Sequence, residues 1–174
     1  ELELAKKIDH ISNVNSNIVN TVKSISIIEN STNKREVLED FISSTLKNHV
    51  NILGVNVIFD KNAFDGRDAD FSGDDKYLPD GQYVSYYTLS GNNMLTTPIV
   101  GYEGYDFYND AKDDLEITVS NPYAFIIDGK EEVITTISEP IYLNDVFVGV
   151  IAVDVAIEFI DLLLEEYAND NDSI

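Results

Sequence analysis

The sequence predicts an α+β fold, with a long N-terminal helix packed on a domain built around a central antiparallel sheet of about five strands. Three observations predict it. Apolar residues recur at helical spacing through the first 49 positions and at strand spacing after residue 52. The apolar segments 133–143 and 146–155 are separated only by Asn144 and Asp145, whose turn chemistry makes them an antiparallel hairpin. A helical pattern then returns at the C-terminus. Three regions follow: a helical stalk over 1–49, a sheet domain over 50–156, and a closing helix with a frayed tail over 157–174.

Residues 1–29 read as one amphipathic helix, with Leu4, Ile8, Ile11, Ile18, Val22 and Ile25 on a stripe that Asn15 interrupts. The stripe can pack on its own domain. It also runs for about three heptads, so a homodimer through this helix is the other partner it offers. The run Asn30, Ser31, Thr32, Asn33 breaks the helix, and a second follows over about Lys34 to Asn48, with Val37, Leu38, Phe41, Ile42 and Leu46 on one face.

The period then changes. VNVIF (55–59) is the first strand, and the acidic stretch 65–81 reads as a loop. QYVSYYTL (82–89) is the second strand, and SGNN (90–93) turns it into MLTTPIV. Tyr105 to Asp113 forms a short helix. NPYAFII (121–127), a DGKEE turn, VITTISEPIYL (133–143) and VFVGVIAVDVAI (146–157) complete the sheet. Ala156 to Ala168 closes as a helix.

Charge and composition narrow the function. Thirty-two acidic residues against 11 basic ones give a net charge of −21, which repels nucleic acid and anionic lipid, so neither is expected as a partner. The absence of cysteine removes disulfides, thiol catalysis and thiolate metal sites. No stretch reaches the roughly 18 apolar residues of a membrane helix. Residues 1–30 are polar every few positions, so no signal peptide is expected, and any membrane anchor is expected outside this chain.

Catalytic and metal signals are weak. Asp68, Asp70, Ser72 and Gly73 fit the start of a calcium loop, but Pro79 stands where its bidentate Glu belongs, so a solvated acidic loop is the reading. His10 and His49 belong to no Ser/His/Asp order and no metal spacing. No catalytic residue, metal or cofactor is expected.

Asp154 is the informative residue. It is the one charge in a run of branched and aromatic residues, and a buried carboxylate needs a partner. On its strand it is expected to share a face with Val148, Val150 and Ala152. Earlier in the sequence, GYEGYDFYNDA supplies Tyr102, Tyr105, Phe107 and Tyr108, and Tyr123 follows Pro122. Such a cluster can be core packing, or the aromatic wall of a small-molecule pocket with a few fixed polar groups.

The segments NILGVNVIFDKNAFDGRD (51–68), DGQYVSYYTLSG (80–91), YDFYNDAK (105–112), NPY (121–123) and GVIAVDV (149–155) together resemble the Cache sensor domains. These are extracytoplasmic, PAS-like modules of bacterial and archaeal chemoreceptors, histidine kinases and cyclases. The resemblance runs from about Val37 to Ile160 and implies a single module of the membrane-distal type. Amino-acid-binding members carry an Arg-x-Trp-Tyr signature, a Tyr after Pro and an Asp on the last strand. These fall on Tyr105, Phe107, Tyr108, Tyr123 and Asp154, and an acidic position two after Pro-Tyr falls on Phe125. Tyr105 replaces the Arg that grips a ligand carboxylate.

The expected function is therefore a small-molecule sensor of a transmembrane receptor. Asp154 would receive a ligand's amine or hydroxyl donor inside walls made by Tyr105, Phe107, Tyr108 and Tyr123, with Tyr87 as a further wall. A dimerisation module without a ligand is the alternative. An enzyme would need a second carboxylate within roughly 5–10 Å of Asp154, which no motif places.

Overall fold

The computed structural model of the protein describes residues 2–26 and 32–157 and, within the first helix, the side chains from Asn13 onward. The closing helix expected after Ala156 lies outside the described residues, as do the side chains of Leu4, Ile8, His10 and Ile11. Helices α1 (Leu2–Ser26) and α2 (Lys34–Asn48) lead into β1 (Ile52–Phe59), β2 (Val84–Ser90) and β3 (Asn93–Pro98). Then come α3 (Asp106–Asp114), β4 (Thr118–Val119), β5 (Tyr123–Ile127), β6 (Lys130–Leu143) and β7 (Val146–Ala156). Seven strands stand where about five were expected. One of them, β4, has two residues, too few to leave a period in the sequence. The sheet runs β3-β2-β1-β7-β6, and β4 and β5 share the free edge of β6; every pairing is antiparallel.

Strand periodicity divides the side chains between two layers. From the central strands, Val55, Val57, Tyr87, Ile137, Ile151, Val153 and Val155 join the core under α1 and α2. Ile58, Val84, Val150 and Ala152 turn the other way and meet Tyr102, Phe107, Tyr108 and Ala111. Both faces of the sheet are thus covered, which is why its strands read as nearly continuous apolar runs. Val148 departs from the expected alternation. The pairing of β6 with β7 slips between Ile141 and Tyr142, and Val148 packs with the helical core rather than beside Asp154.

The described stretch of the α1 stripe is occupied by its own domain, because Ile18, Val22 and Ile25 are buried in the core under the helices. Asn15 is buried with them, and neither polar atom of its amide has a hydrogen-bond partner. In α2 the buried face is shifted from the expected one. Val37 is 42% exposed, while Arg35 is 2% exposed and Glu39 is buried.

Arg35 explains the shift and the acidic loop together. Its guanidinium donates to Asp65 at 2.8 and 3.1 Å, to Asp68 at 2.7 Å and to the Gly81 carbonyl at 2.8 Å. It also lies 3.9 Å from the centroid of the Phe71 ring. The loop expected to be solvated is therefore pinned to α2 at both ends by one buried cation, and Asp68 also accepts from the Asn62 backbone N–H at 2.6 Å. Beside it, Glu39 accepts from Tyr77 Oη and Lys76 Nζ at 2.8 Å each.

Removing the cation would strand two buried carboxylates. Arg35→Met is expected to lower unfolding free energy by about 3–5 kcal/mol, measured by urea denaturation.

Candidate functional site

The site forms on the sheet face opposite α1 and α2, where even-numbered positions of four neighbouring strands line up. Asp154 on β7 stands between Gly54 on β1 and Thr136 on β6, and Asn56 on β1 is paired with Tyr86 on β2. The chain from Pro98 to Tyr105 and helix α3 close over this face. Between them is a cavity of about 260 Å³ whose floor is Asp154 and Asn56 and whose walls include Tyr86, Tyr105, Phe107, Tyr123 and Phe125. A second cavity of about 290 Å³ shares Tyr105, Phe107 and Tyr123 with the first.

Asp154 is 2% exposed, and its partners are neutral. Thr136 Oγ1 donates to Oδ1 at 2.7 Å. Asn56 Nδ2 approaches both carboxylate oxygens at 3.4 Å. Among the described residues no lysine or arginine pairs with it. Loss of water favours the uncharged acid and outweighs the hydrogen bonds from Thr136 and Asn56 and the pull of the nearby Tyr86 hydroxyl, so the carboxyl is pushed up to about 6. The phenols around it feel the same field. Burial first, and the Asp154 charge second, raise Tyr86 far above its ordinary range and push Tyr123 up to about 12, so both stay protonated donors.

Two details shape the walls. Gly54 is a strand glycine that makes room for an aromatic ring: a Cβ there would fall inside the Tyr86 phenol. The ring can therefore lie across β1 with its hydroxyl beside Asp154, although that buried hydroxyl makes no well-formed hydrogen bond. Tyr123 is fixed by a 2.7 Å hydrogen bond between its hydroxyl and Thr136 Oγ1, the same hydroxyl that serves Asp154. Tyr86 meets Phe125 edge to face, with ring centroids 5.7 Å apart.

Of the residues proposed from the sequence, Asp154, Tyr105, Phe107 and Tyr123 come together at this cavity. Tyr87 and Tyr108 do not line it. Tyr87 is odd-numbered on β2 and belongs to the helical core, where its hydroxyl is 2.9 Å from that of Tyr83; its neighbour Tyr86 takes the wall position. Tyr105 and Tyr108 were expected on one helical face, but Tyr105 precedes α3 in extended conformation and stacks on Phe107 instead. Tyr108 turns under α3 against Tyr102. Asn56 and Thr136 were not singled out from the sequence. A polar residue inside VNVIF and two inside VITTI, each in a run bound for burial, were the available signals. No second acidic side chain lines the Asp154 cavity, so the carboxylate pair that hydrolysis would need is absent among the described residues there.

Comparison with known proteins places this geometry. Residues 38–161 match the family described as methyl-accepting chemotaxis protein-like, first PDC sensor domain, and the chain belongs to that family. The matched description is that of a sensor domain. The fold is similar to the extracellular domain of mmHK1S-Z3, named as a histidine kinase, at 24% identity and TM-score 0.72 over 88% of this chain and 54% of that one. It is also similar to the corresponding domain of mmHK1S-Z2, at 24% identity and TM-score 0.67 over 91% and 62%. The sensory domain of the Campylobacter jejuni chemoreceptor Tlp3, solved with isoleucine bound, matches at 15% identity and TM-score 0.59 over 93% and 58%. The chain thus spans little more than half the length of these structures. No curated protein matches it.

The state of Asp154 has a thermodynamic consequence. The folded protein holds the carboxyl proton more tightly than the unfolded chain, whose value is near 3.8. Ionising it therefore removes about 3 kcal/mol of stability as pH rises from 4 through 6. Asp154→Asn is expected to stabilise the ligand-free domain by about that amount at pH 8 and to be neutral near pH 3.5, read from chemical denaturation at the two pH values.

Proposed function

We propose that this chain is the extracytoplasmic ligand-sensing module of a transmembrane receptor and that it binds a small polar metabolite carrying an amine in the Asp154 cavity. The observation that carries the reading is the carboxylate itself. It is buried, ionised near neutral pH and served only by neutral donors. A cationic or strongly donating group on a ligand supplies the missing partner, and charge-assisted hydrogen bonds of this kind are roughly twice as strong as neutral ones.

The departures from the amino-acid signature agree with this. Tyr105 stands at the position of the carboxylate-gripping Arg, and no lysine or arginine is among the residues lining the cavity. An α-carboxylate would enter without a counter-charge. The isoleucine bound by the Tlp3 domain is therefore not a guide to the ligand here. Residues Tyr105, Phe107, Tyr123, Tyr86 and Phe125 give the rest of the ligand an aromatic wall.

Calorimetry against a panel of amines, polyols and small acids tests the reading. An amine is expected to bind above pH 6 and to lose affinity about tenfold for each pH unit below that value, as Asp154 takes up its proton. Asp154→Asn should abolish binding while the fold is retained; unchanged affinity would reject the role given to Asp154. Gly54→Ala, which drives the Tyr86 ring off β1, should weaken the same amine about tenfold or more with Asp154 intact.

A further inference from the structure

Asp154 takes its one short hydrogen bond from a residue that does not line the cavity. Thr136 is fully buried behind it, with its hydroxyl between two others. Oγ1 lies 2.7 Å from Asp154 Oδ1 and 2.7 Å from Tyr123 Oη. A threonine hydroxyl has one proton, and an ionised carboxylate only accepts. While Asp154 is charged, the Thr136 proton is therefore committed to Oδ1, and the Tyr123 hydroxyl must donate to Thr136. The three groups form a row with one direction, from Tyr123 through Thr136 to Asp154, in which each bond polarises the next.

The backbone around the row is tied down by Ser120, just before β5. The Thr136 N–H donates to Ser120 Oγ at 2.9 Å, and the Ser120 N–H returns a bond to the Thr136 carbonyl at 2.9 Å. Thr135 Oγ1 donates to the Ser120 carbonyl at 2.8 Å. The chain that delivers Tyr123 is thus fastened to β6 at Thr136 itself. The other titratable groups that line the cavity with Asp154 are Tyr86 from β2 and Tyr105 from the segment before α3. Asp106 and Asp110 of α3 line the neighbouring cavity instead.

Resting on the reading that Asp154 receives the ligand, we propose that Thr136 is a positioning residue for the site: it holds the charge on Asp154 and turns Tyr123 Oη into an acceptor toward the cavity. A ligand donor then meets two acceptors, both set by a residue behind the cavity wall. Without the Thr136 hydroxyl, the carboxylate loses its only short donor. A hydrogen bond to a charged group is strong enough to hold a carboxyl about one to two pH units lower. From about 6, its loss carries Asp154 to neutrality or beyond, so that much of the site's charge disappears at pH 7. The Tyr123 hydroxyl is released at the same time to point its proton into the cavity.

The test is the carbon-13 NMR titration of the Asp154 carboxyl in the ligand-free chain and three variants. Thr136→Val keeps the branched shape and removes the hydroxyl. Its Asp154 midpoint is expected about one to two pH units above that of the natural chain, and Thr136→Ser, which supplies the hydroxyl again, should bring it back. Tyr123→Phe should raise the midpoint by less, about half a pH unit. Added to Thr136→Val, it should have no effect, because Tyr123 reaches Asp154 only through Thr136. A role for Thr136 in packing alone would not make one substitution depend on the other. A midpoint unmoved by Thr136→Val overturns the proposal. So does a Tyr123→Phe shift that is equally large with and without the Thr136 hydroxyl. Either result would leave the ligand reading standing. Conversely, an amine panel in which nothing binds through Asp154 would sink that reading while the ligand-free titrations still upheld the part played by Thr136.

Discussion

A carboxylate buried without a counter-charge is the constraint around which one face of this sheet is arranged. Asp154 could have been neutralised by a lysine or arginine, as Asp65 and Asp68 are by Arg35 on the opposite side of the sheet. The contrast is internal to the protein. Where a charge serves the fold, the chain supplies its opposite within 3 Å. At Asp154 it supplies a threonine hydroxyl and an amide, enough to limit the desolvation penalty and too little to cancel it.

The two layers meet in the strands. β2 carries Tyr86 into the cavity and Tyr87 into the helical core, and Tyr87 is joined through Tyr83 to the aromatic group that holds Arg35 and Glu39 of α2. A ligand that repositions Tyr86 acts on a backbone that α2 also grips. Such a contact shifts the helices only as far as the ligand's affinity differs between two arrangements of the sheet.

Much of the fold was legible in the sequence, and for identifiable reasons. The change from helical to strand spacing at residue 52 marked the two halves, and Asn144 and Asp145 marked the tight β6–β7 turn, where both adopt positive φ. Family membership was legible in the order of weak segments from Val37 onward. The site was only half legible. Asp154 stood out because a charge in an apolar run is costly, but the choice between Tyr86 and Tyr87 did not. With both faces of the sheet covered, no outward polar residues reveal which alternate position faces which layer. Tyr108 was misplaced because the helix begins one residue later than the aromatic run, which takes Tyr105 off the helical face. Arg35 was overlooked because a buried cation and an exposed one look alike on a helical wheel.

The most direct test is the titration of the Asp154 side-chain carboxyl by carbon-13 NMR in the ligand-free domain. Titration near 6 would show a buried charge for which the protein supplies no opposite. Titration at or below the ordinary value of 3.8 would show that the chain already compensates it, and the site would then have no call for a cationic visitor.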